Sequence, residues 1–300
     1  MPSFNPHSHL IQAMVLNTIE ITLVVENETP PDLIAEHGFA AWIETGGECF
    51  LFDTGQGTAL EHNARVLDID LGKAAMLILS HGHYDHTGGI PAFLATNAHA
   101  PVIYGKGATT CRYSCHPEQA PRQSGIVPAV LQELDALPAG QRIELDAHRY
   151  LRPGIGVTGP VPRITPFEDT GGPFYLDANK ARPDLINDDL SLWFETTEGL
   201  VILTGCCHSG LINTISHIRR ISGIERVHGI IGGLHLLNAG EERLQATRKF
   251  LAECRPDFLI PCHCTGALVA ERLQREFGEA MVTPGRAGQK ITIGALRPEG

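Results

Sequence analysis

The stretch Ser80-His81-Gly82-His83-Tyr84-Asp85-His86-Thr87-Gly88 gathers three histidines and an aspartate into one short loop. Neutral imidazole and carboxylate are donors that zinc, iron and manganese accept without help from a thiolate. His81 and His83 lie two apart, so an extended segment points both at one ion. Asp85 and His86 lie further round the turn, placed to reach a second. Three more histidines follow short apolar runs near glycines: His208 after 200–204, His235 after 227–231 and His263 after 258–260. One such histidine is more often a satisfied core or surface residue than a ligand. Four such places at equivalent strand ends argue for a shared centre, because parallel strands set their C-terminal loops side by side. By ligand type the expected cofactor is one or two divalent ions, zinc first, with manganese or iron as alternatives.

The elements that must carry these residues are legible around them. The run 74–79, Ala-Ala-Met-Leu-Ile-Leu, has no polar alternation and reads as a strand buried on both faces. Residues 18–26 alternate as a half-buried strand, and 39–44 with 48–52 form a hairpin around Thr45-Gly46-Gly47. The second hairpin strand ends in Asp53-Thr54-Gly55, where Asp53 is either a turn residue or a support for the metal loop. Helices are expected at 58–67, 90–96, 211–220, 241–254 and 266–277, with a closing strand at 290–296. Residues 1–10 read as a frayed tail. Region 101–185 holds eleven of the twenty prolines and only short strand-like pieces, at 142–145 and 154–157, so it reads as an insertion covering one edge of the site. Within it Cys111-Arg112-Tyr113-Ser114-Cys115-His116 has the look of a metal knuckle, but nothing nearby completes four ligands and loop cysteines are expected. His7, His9, His62, His99 and His148 read as solvated, His217 and His228 as structural, and His37 stays open.

Composition bounds the rest. With 43% hydrophobic and 19% charged residues, the 300-residue chain fits a single globular α/β domain over 1–300. A net charge of −11 argues against a nucleic-acid or anionic-membrane surface and leaves a small molecule as the partner. No apolar run approaches the ~20 residues of a membrane span. The N-terminus lacks the layout of a signal peptide, so the eight cysteines are expected as mostly free thiols in a reducing cytoplasm.

The 80–88 motif resembles that of the metallo-β-lactamase fold superfamily. Leu51-Phe52-Asp53-Thr54-Gly55, Thr204-Gly205-Cys206-Cys207-His208 and His263 extend the likeness along nearly the whole chain. The resemblance implies a four-layer αβ/βα sandwich of two similar halves. Within it the chain is most similar to the 7,8-dihydropterin-6-methyl-4-(β-D-ribofuranosyl)aminobenzene-5′-phosphate synthase group, through Glu36-His37-Gly38, Asp53-Thr54-Gly55-Gln56, Gly232-Gly233-Leu234-His235-Leu236 and His263-Cys264-Thr265-Gly266. Carried over, His81, His83 and His208 hold a first metal, and Asp85, His86 and His263 a second. Many two-metal members bridge the ions with an aspartate before the last histidine. This chain has Gly232-Gly233-Leu234-His235 there, which makes His235 a substitute ligand or a substrate contact.

Two kinds of chemistry follow from the resemblance, on an anionic small-molecule substrate. In hydrolysis of a phosphodiester, lactone or thioester, the metals activate water. Asp85 would orient that water and His235 would donate to the developing oxyanion. In a synthase, the metals bind the diphosphate of an activated dihydropterin and help it depart, and the ribosylaminobenzene phosphate attacks the freed carbon. Arg286 and Lys290 are candidate phosphate contacts, with a solvated loop as the alternative. A non-catalytic metal sensor is disfavoured because closed structural sites use four protein ligands, whereas this one leaves positions open.

Overall fold

The structure, a computed structural model, describes residues 18–297; the expected tail at 1–10, with His7 and His9, lies outside them. The described residues begin with strands β1 (Thr18–Val25), β2 (Ala40–Thr45) and β3 (Glu48–Phe52), helix α1 (Leu60–Val66) and strand β4 (Ala74–Ile78). Next come the one-turn helix α2 (Tyr84–Thr87), helix α3 (Ile90–Thr96) and strand β5 (Val102–Gly105). The two-residue strands β6 (Tyr113–Ser114) and β7 (Arg122–Gln123) precede helix α4 (Pro128–Ala136). Strands β8 (Arg142–Leu145), β9 (Arg149–Arg152), β10 (Ile155–Val157) and β11 (Phe174–Tyr175) follow. The last part alternates more regularly: β12 (Ser191–Thr196), β13 (Gly199–Thr204), α5 (Leu211–Ser222), β14 (Val227–Gly233), α6 (Glu241–Cys254), β15 (Phe258–Cys262), α7 (Ala267–Phe277) and β16 (Lys290–Ala295).

Among the described residues the strands make one sheet in the order β16-β1-β2-β3-β4-β5-β8 and a second in the order β15-β14-β13-β12-β10-β9. Period-2 alternation explains why the sheets stack. In β2 and β3, Ile43, Phe50 and Phe52 turn inward to meet Leu192, Phe194, Val201 and Leu203 of the second sheet. Trp42 and Leu51 turn outward, onto Leu60 of α1 and Phe93 of α3. On the other side, Leu200 and Ile202 face Leu211, Ile215 and Ile218 of α5. Helix, sheet, sheet, helix is the four-layer αβ/βα sandwich expected. Among the described residues no helix is long and apolar enough to cross a membrane, and no cysteine is in a disulfide.

Region 101–185 departs from the expectation of a single insertion. β5 and β8 complete the first sheet, and β9 and β10 edge the second, so this stretch is where the chain finishes one half and begins the other. Its prolines do not break these strands because they sit in connections: Pro101 precedes β5, Pro128 opens α4, and Pro153 lies in the turn between β9 and β10. What remains as a cover is the small sheet β11-β6-β7.

Two runs of parallel pairing set the active edge. β3, β4, β5 and β8 pair in parallel in one sheet, and β13, β14 and β15 in the other. Thr204 lies opposite Gly232, and Gly233 opposite Cys262, so the loops carrying residues 206–208, 235 and 263 emerge together. Across the sandwich, Leu190 N donates to Ser80 O at 2.7 Å and ties the second sheet to the start of the metal loop.

Candidate metal centre and its cavity

The metal loop is shaped by a glycine and a short helix. Gly82 N donates to Asp188 Oδ2 at 2.8 Å, and a β-carbon on Gly82 would stand 1.8 Å from the Ala108 carbonyl oxygen. Only glycine passes there. His83 stays extended, and the one-turn helix α2 then carries Asp85 and His86, with the His86 ring returning beside that of His81. Gly82→Ala is expected to cost at least about 1–3 kcal/mol through overpacking against backbone, and to lower bound metal. Thermal melting and metal analysis check it; a variant that melts and loads like the parent would show that this close contact is absent in solution.

His81, His83 and His208 converge, with ring centroids 4.5, 4.7 and 4.9 Å apart pairwise. His86 and His263 lie 5.1 Å apart, and Asp85 Oδ2 is 3.5 Å from His263 Nε2. The two predicted groups are therefore assembled, and His81 and His86 adjoin across them at 4.3 Å. All five rings are buried.

Their donor atoms suit a metal. His208 Nδ1 donates to the Thr170 carbonyl at 2.7 Å, which leaves Nε2 with a lone pair, and that atom is buried without a hydrogen-bond partner. His263 Nδ1 faces Asn27 Oδ1 at 3.0 Å, and its buried Nε2 likewise has no hydrogen-bond partner. His86 Nδ1 lies 2.7 Å from Asp53 Oδ2, while Asp53 also receives Ser80 N and Ser80 Oγ at 2.6 Å. His81 Nδ1 rests on the same Ser80 Oγ at 2.9 Å. Fixing one ring nitrogen so that the other can coordinate is the usual support around metal-bound histidine. His81 Nε2 and His83 Nδ1 stand 2.8 Å apart, within hydrogen-bond distance, and the buried Nε2 of His83 has no hydrogen-bond partner.

Burial, reinforced by the neighbouring imidazoles, holds His81 well below the usual histidine range, and burial does the same for His83 and His208. These rings are neutral, as ligands must be. Burial opposes ionisation of Asp85, but the imidazoles of His263 and His37 beside it keep its carboxyl well below the usual range. His86 differs: burial pulls it down, yet the Asp53 carboxylate outweighs this and raises it to about 9 in the metal-free protein. A metal must displace that proton, so apparent affinity should climb as pH rises from 6 towards 9. Chelator competition across that range checks the sign. In the same assay, Asp53→Asn is expected to weaken binding roughly 10–100-fold, the usual cost of losing such a partner.

Other predicted site residues fall in and out of this cluster. His235, at the end of β14, puts its ring 4.2 Å from that of His208, and its buried Nδ1 has no hydrogen-bond partner. Arg286 and Lys290 stand elsewhere: neither lines the metal-facing cavity, and Lys290 is exposed and pairs with Glu20 of β1 at 3.3 Å. Phosphate contact at this cavity does not run through them. His37, left open by its sequence context, sits at the centre, with Nε2 3.2 Å from Asp85 Oδ2 and its ring 4.6 Å from that of His263. Glu36 beside it receives Gln56 N, Thr58 N and Ala59 N, which explains the pairing of Glu36-His37-Gly38 with Asp53-Thr54-Gly55-Gln56. Cys206 and Cys264, not singled out by type, also face the cluster. Four strand-end loops each hold a non-glycine residue at positive φ: Asp53, Cys207, His235 and His263. Such strain collects at functional sites.

The centre opens into a cavity of about 380 Å³. Metal-side residues form its floor, and the β11-β6-β7 cover forms a wall with Ser114, Arg122 and Phe174. Among the described lining residues Arg122 is the one permanent cation, and its guanidinium lies 4.8 Å over the Tyr84 ring.

Residues 34–263 match the sequence profile of the metallo-beta-lactamase superfamily. The chain belongs to that superfamily. The superfamily is metal-dependent, and the donor groups gathered here are candidates to hold an ion. The 7,8-dihydropterin-6-methyl-4-(beta-D-ribofuranosyl)-aminobenzene-5'-phosphate synthase of Methanocaldococcus jannaschii is 30% identical over 257 residues, 82% of this chain and 86% of that one. An uncharacterised protein of the same organism is 29% identical over 263 residues, 85% of this chain and 94% of that one. Among solved structures, Tm1679, described as a metal-dependent hydrolase of the beta-lactamase superfamily, superposes with a TM-score of 0.76 at 25% identity, covering 92% of this chain and 99% of that one.

Proposed function

We propose that this metallo-beta-lactamase superfamily enzyme acts on an anionic, phosphate-bearing small molecule, in the manner of a dihydropterin-type synthase. The observation that carries this reading is the cavity: His83, Asp85, His208 and His263 lie at its floor, the Arg122 guanidinium stands at its wall over the Tyr84 ring, and Phe174 also lines it. A guanidinium suits phosphate oxygens, and aromatic faces suit a flat ring. The 30% identical synthase supports the same direction.

When bound, the metals supply Lewis-acid stabilisation of charge on phosphate oxygens. His81, His83 and His208 would hold one ion, and Asp85, His86 and His263 the other. Asp53, Ser80, Asn27 and the Thr170 carbonyl fix the ring nitrogens that face away from them. His37, half-exposed and against Asp85, is set to hold or release a proton at Nε2 beside the reacting group. His235, beside His208 in the cavity lining, would donate to a leaving oxygen.

Hydrolysis is the second reading, favoured by the likeness to Tm1679. One experiment separates the two. Metal-loaded protein is incubated with a dihydropterin methyl diphosphate and the ribosylaminobenzene phosphate, and in parallel with phosphodiesters, lactones and thioesters. A coupled pterin product with diphosphate release is expected. Cleavage of a panel ester without coupling would replace the synthase reading by the hydrolase one. Loaded protein inert towards all of them would sink both.

A further inference from the structure

The sequence offers no carboxylate at 232–235 to join the two metal positions, and the structure puts a different group between them. Cys206 Sγ lies within 4.8 Å of a ring nitrogen of His81 and of one of His208. The same sulfur lies within 4.8 Å of ring nitrogens of His86 and His263. It is therefore common to both ligand groups, and it approaches His86 Nε2 to 3.1 Å. Cys206 is 2% exposed. Buried nitrogens without hydrogen-bond partners point into the cluster from both sides, His208 Nε2 from one and His263 Nε2 from the other.

The backbone holds the sulfur in place. Gly205 packs so closely on the support layer that a β-carbon there would meet Ser80 Oγ at 2.1 Å and Asp53 Oδ2 at 2.8 Å. Gly233 N donates to Gly205 O at 3.0 Å and fixes the loop to the next strand. Cys207 turns left-handed at φ 59°, and its own sulfur goes the other way, 3.5 Å from Thr214 Oγ1. The two neighbouring thiols are thus divided, one towards the metals and one into the helix layer.

We propose that the Cys206 thiolate is the shared ligand bridging the two metal positions of this protein. Sulfur binds zinc at ~2.3 Å and favours zinc and iron over manganese or magnesium, so the bridge also narrows the choice of metal. Metal uptake then breaks the S–H bond and releases that proton to solvent, while the sulfur lone pairs are shared between the ions. Cys264, whose sulfur shares a third group with Cys206 and His235, flanks the bridge without being part of it.

The inference rests on the proposed metal centre and is independent of substrate. The test is cobalt(II) titration of the full-length metal-free protein and of Cys206→Ser, Cys264→Ser and Cys207→Ser, with circular dichroism confirming that each variant is folded. Wild type is expected to take up two equivalents with a near-ultraviolet thiolate-to-cobalt charge-transfer band. Cys206→Ser should lose the band and fall to one equivalent, Cys207→Ser should match wild type, and Cys264→Ser should keep the band and both equivalents. Cys206→Asp, should the serine variant misfold, is expected to restore two equivalents without the band. A band that survives in Cys206→Ser or vanishes in Cys264→Ser overturns the assignment. So does cobalt bound by wild type with no such band, which leaves the histidine centre intact. Failure of wild type to bind cobalt at all removes the metal centre together with the bridge.

Discussion

Replacing His208 by alanine is expected to remove metal from the first position and, with it, most turnover. His208 brings the second sheet to a group whose other members, His81 and His83, come from the first. Without it two imidazoles remain, fewer than the three protein ligands a catalytic zinc commonly keeps. Loss of an outer partner alone costs roughly 10–100-fold in affinity, so loss of a direct ligand should exceed about 100-fold. Cavity formation adds little to the interpretation, because the ring packs mainly on other site residues: His81, His83, His235 and Phe174. Metal analysis after dialysis, on this variant and on His81→Ala, is the measurement. Unchanged metal in both would remove the assignment.

The second large effect lies outside the centre. Arg112 is 2% exposed and meets two buried aspartates: Nη2 reaches Asp188 Oδ1 at 2.9 Å, and Nε faces Asp184 Oδ2 at 3.3 Å. Its Nη2 also donates to Gly107 O at 3.0 Å. Removing one partner from such a cluster strands the remaining charges in a poorly solvated place, which costs about 3–5 kcal/mol. Arg112→Ala should lower unfolding stability by that amount in chemical denaturation. Arg112→Ala combined with Asp184→Asn and Asp188→Asn should recover part of it, since the stranded charges are gone. A loss below about 1 kcal/mol in the single variant would mean that the cluster is solvated. Because Asp188 also receives Gly82 N, this ion cluster anchors the cover segment to the metal loop.

Arg112 also shows where sequence reading reached its end. Its neighbours Cys111 and Cys115 drew attention as ligand types, yet Cys111 is exposed, Cys115 is buried, and the arginine between them is the organising residue. Its partners lie some seventy residues on, beyond any local pattern. The histidines were readable because each follows an apolar run at a strand end, a local signal repeated until chance became a poor account of it. The helices at 241–254 and near 211–222 were readable for the same reason, by length and period. β5, β8 and β10 were not placed in their sheets because three- or four-residue strands among prolines owe their form to partners: β5 to β4 and β8, and β10 to β12. His37 and Cys206 belong with these. His37 follows no apolar run, and Cys206, although it follows the same run as His208, reads only as one of the free thiols because a thiol there meets a ligand or a core equally well.

The left-handed residues at the strand ends carry a separate meaning. Nine described non-glycine residues have positive φ, and Asp53, Cys207, His235 and His263 make up four of them. A β-carbon held in that region strains the backbone by about 1–3 kcal/mol, which glycine would avoid. At Asp53, His235 and His263 glycine would relieve the chain and erase a group of the centre. Of the four, His235 and His263 line the cavity, and Asp53 lies behind it against the His86 ring. Four of the nine departures of the main chain from its own preferences thus fall on the loops that carry the centre, where the side chain is worth more than the relief.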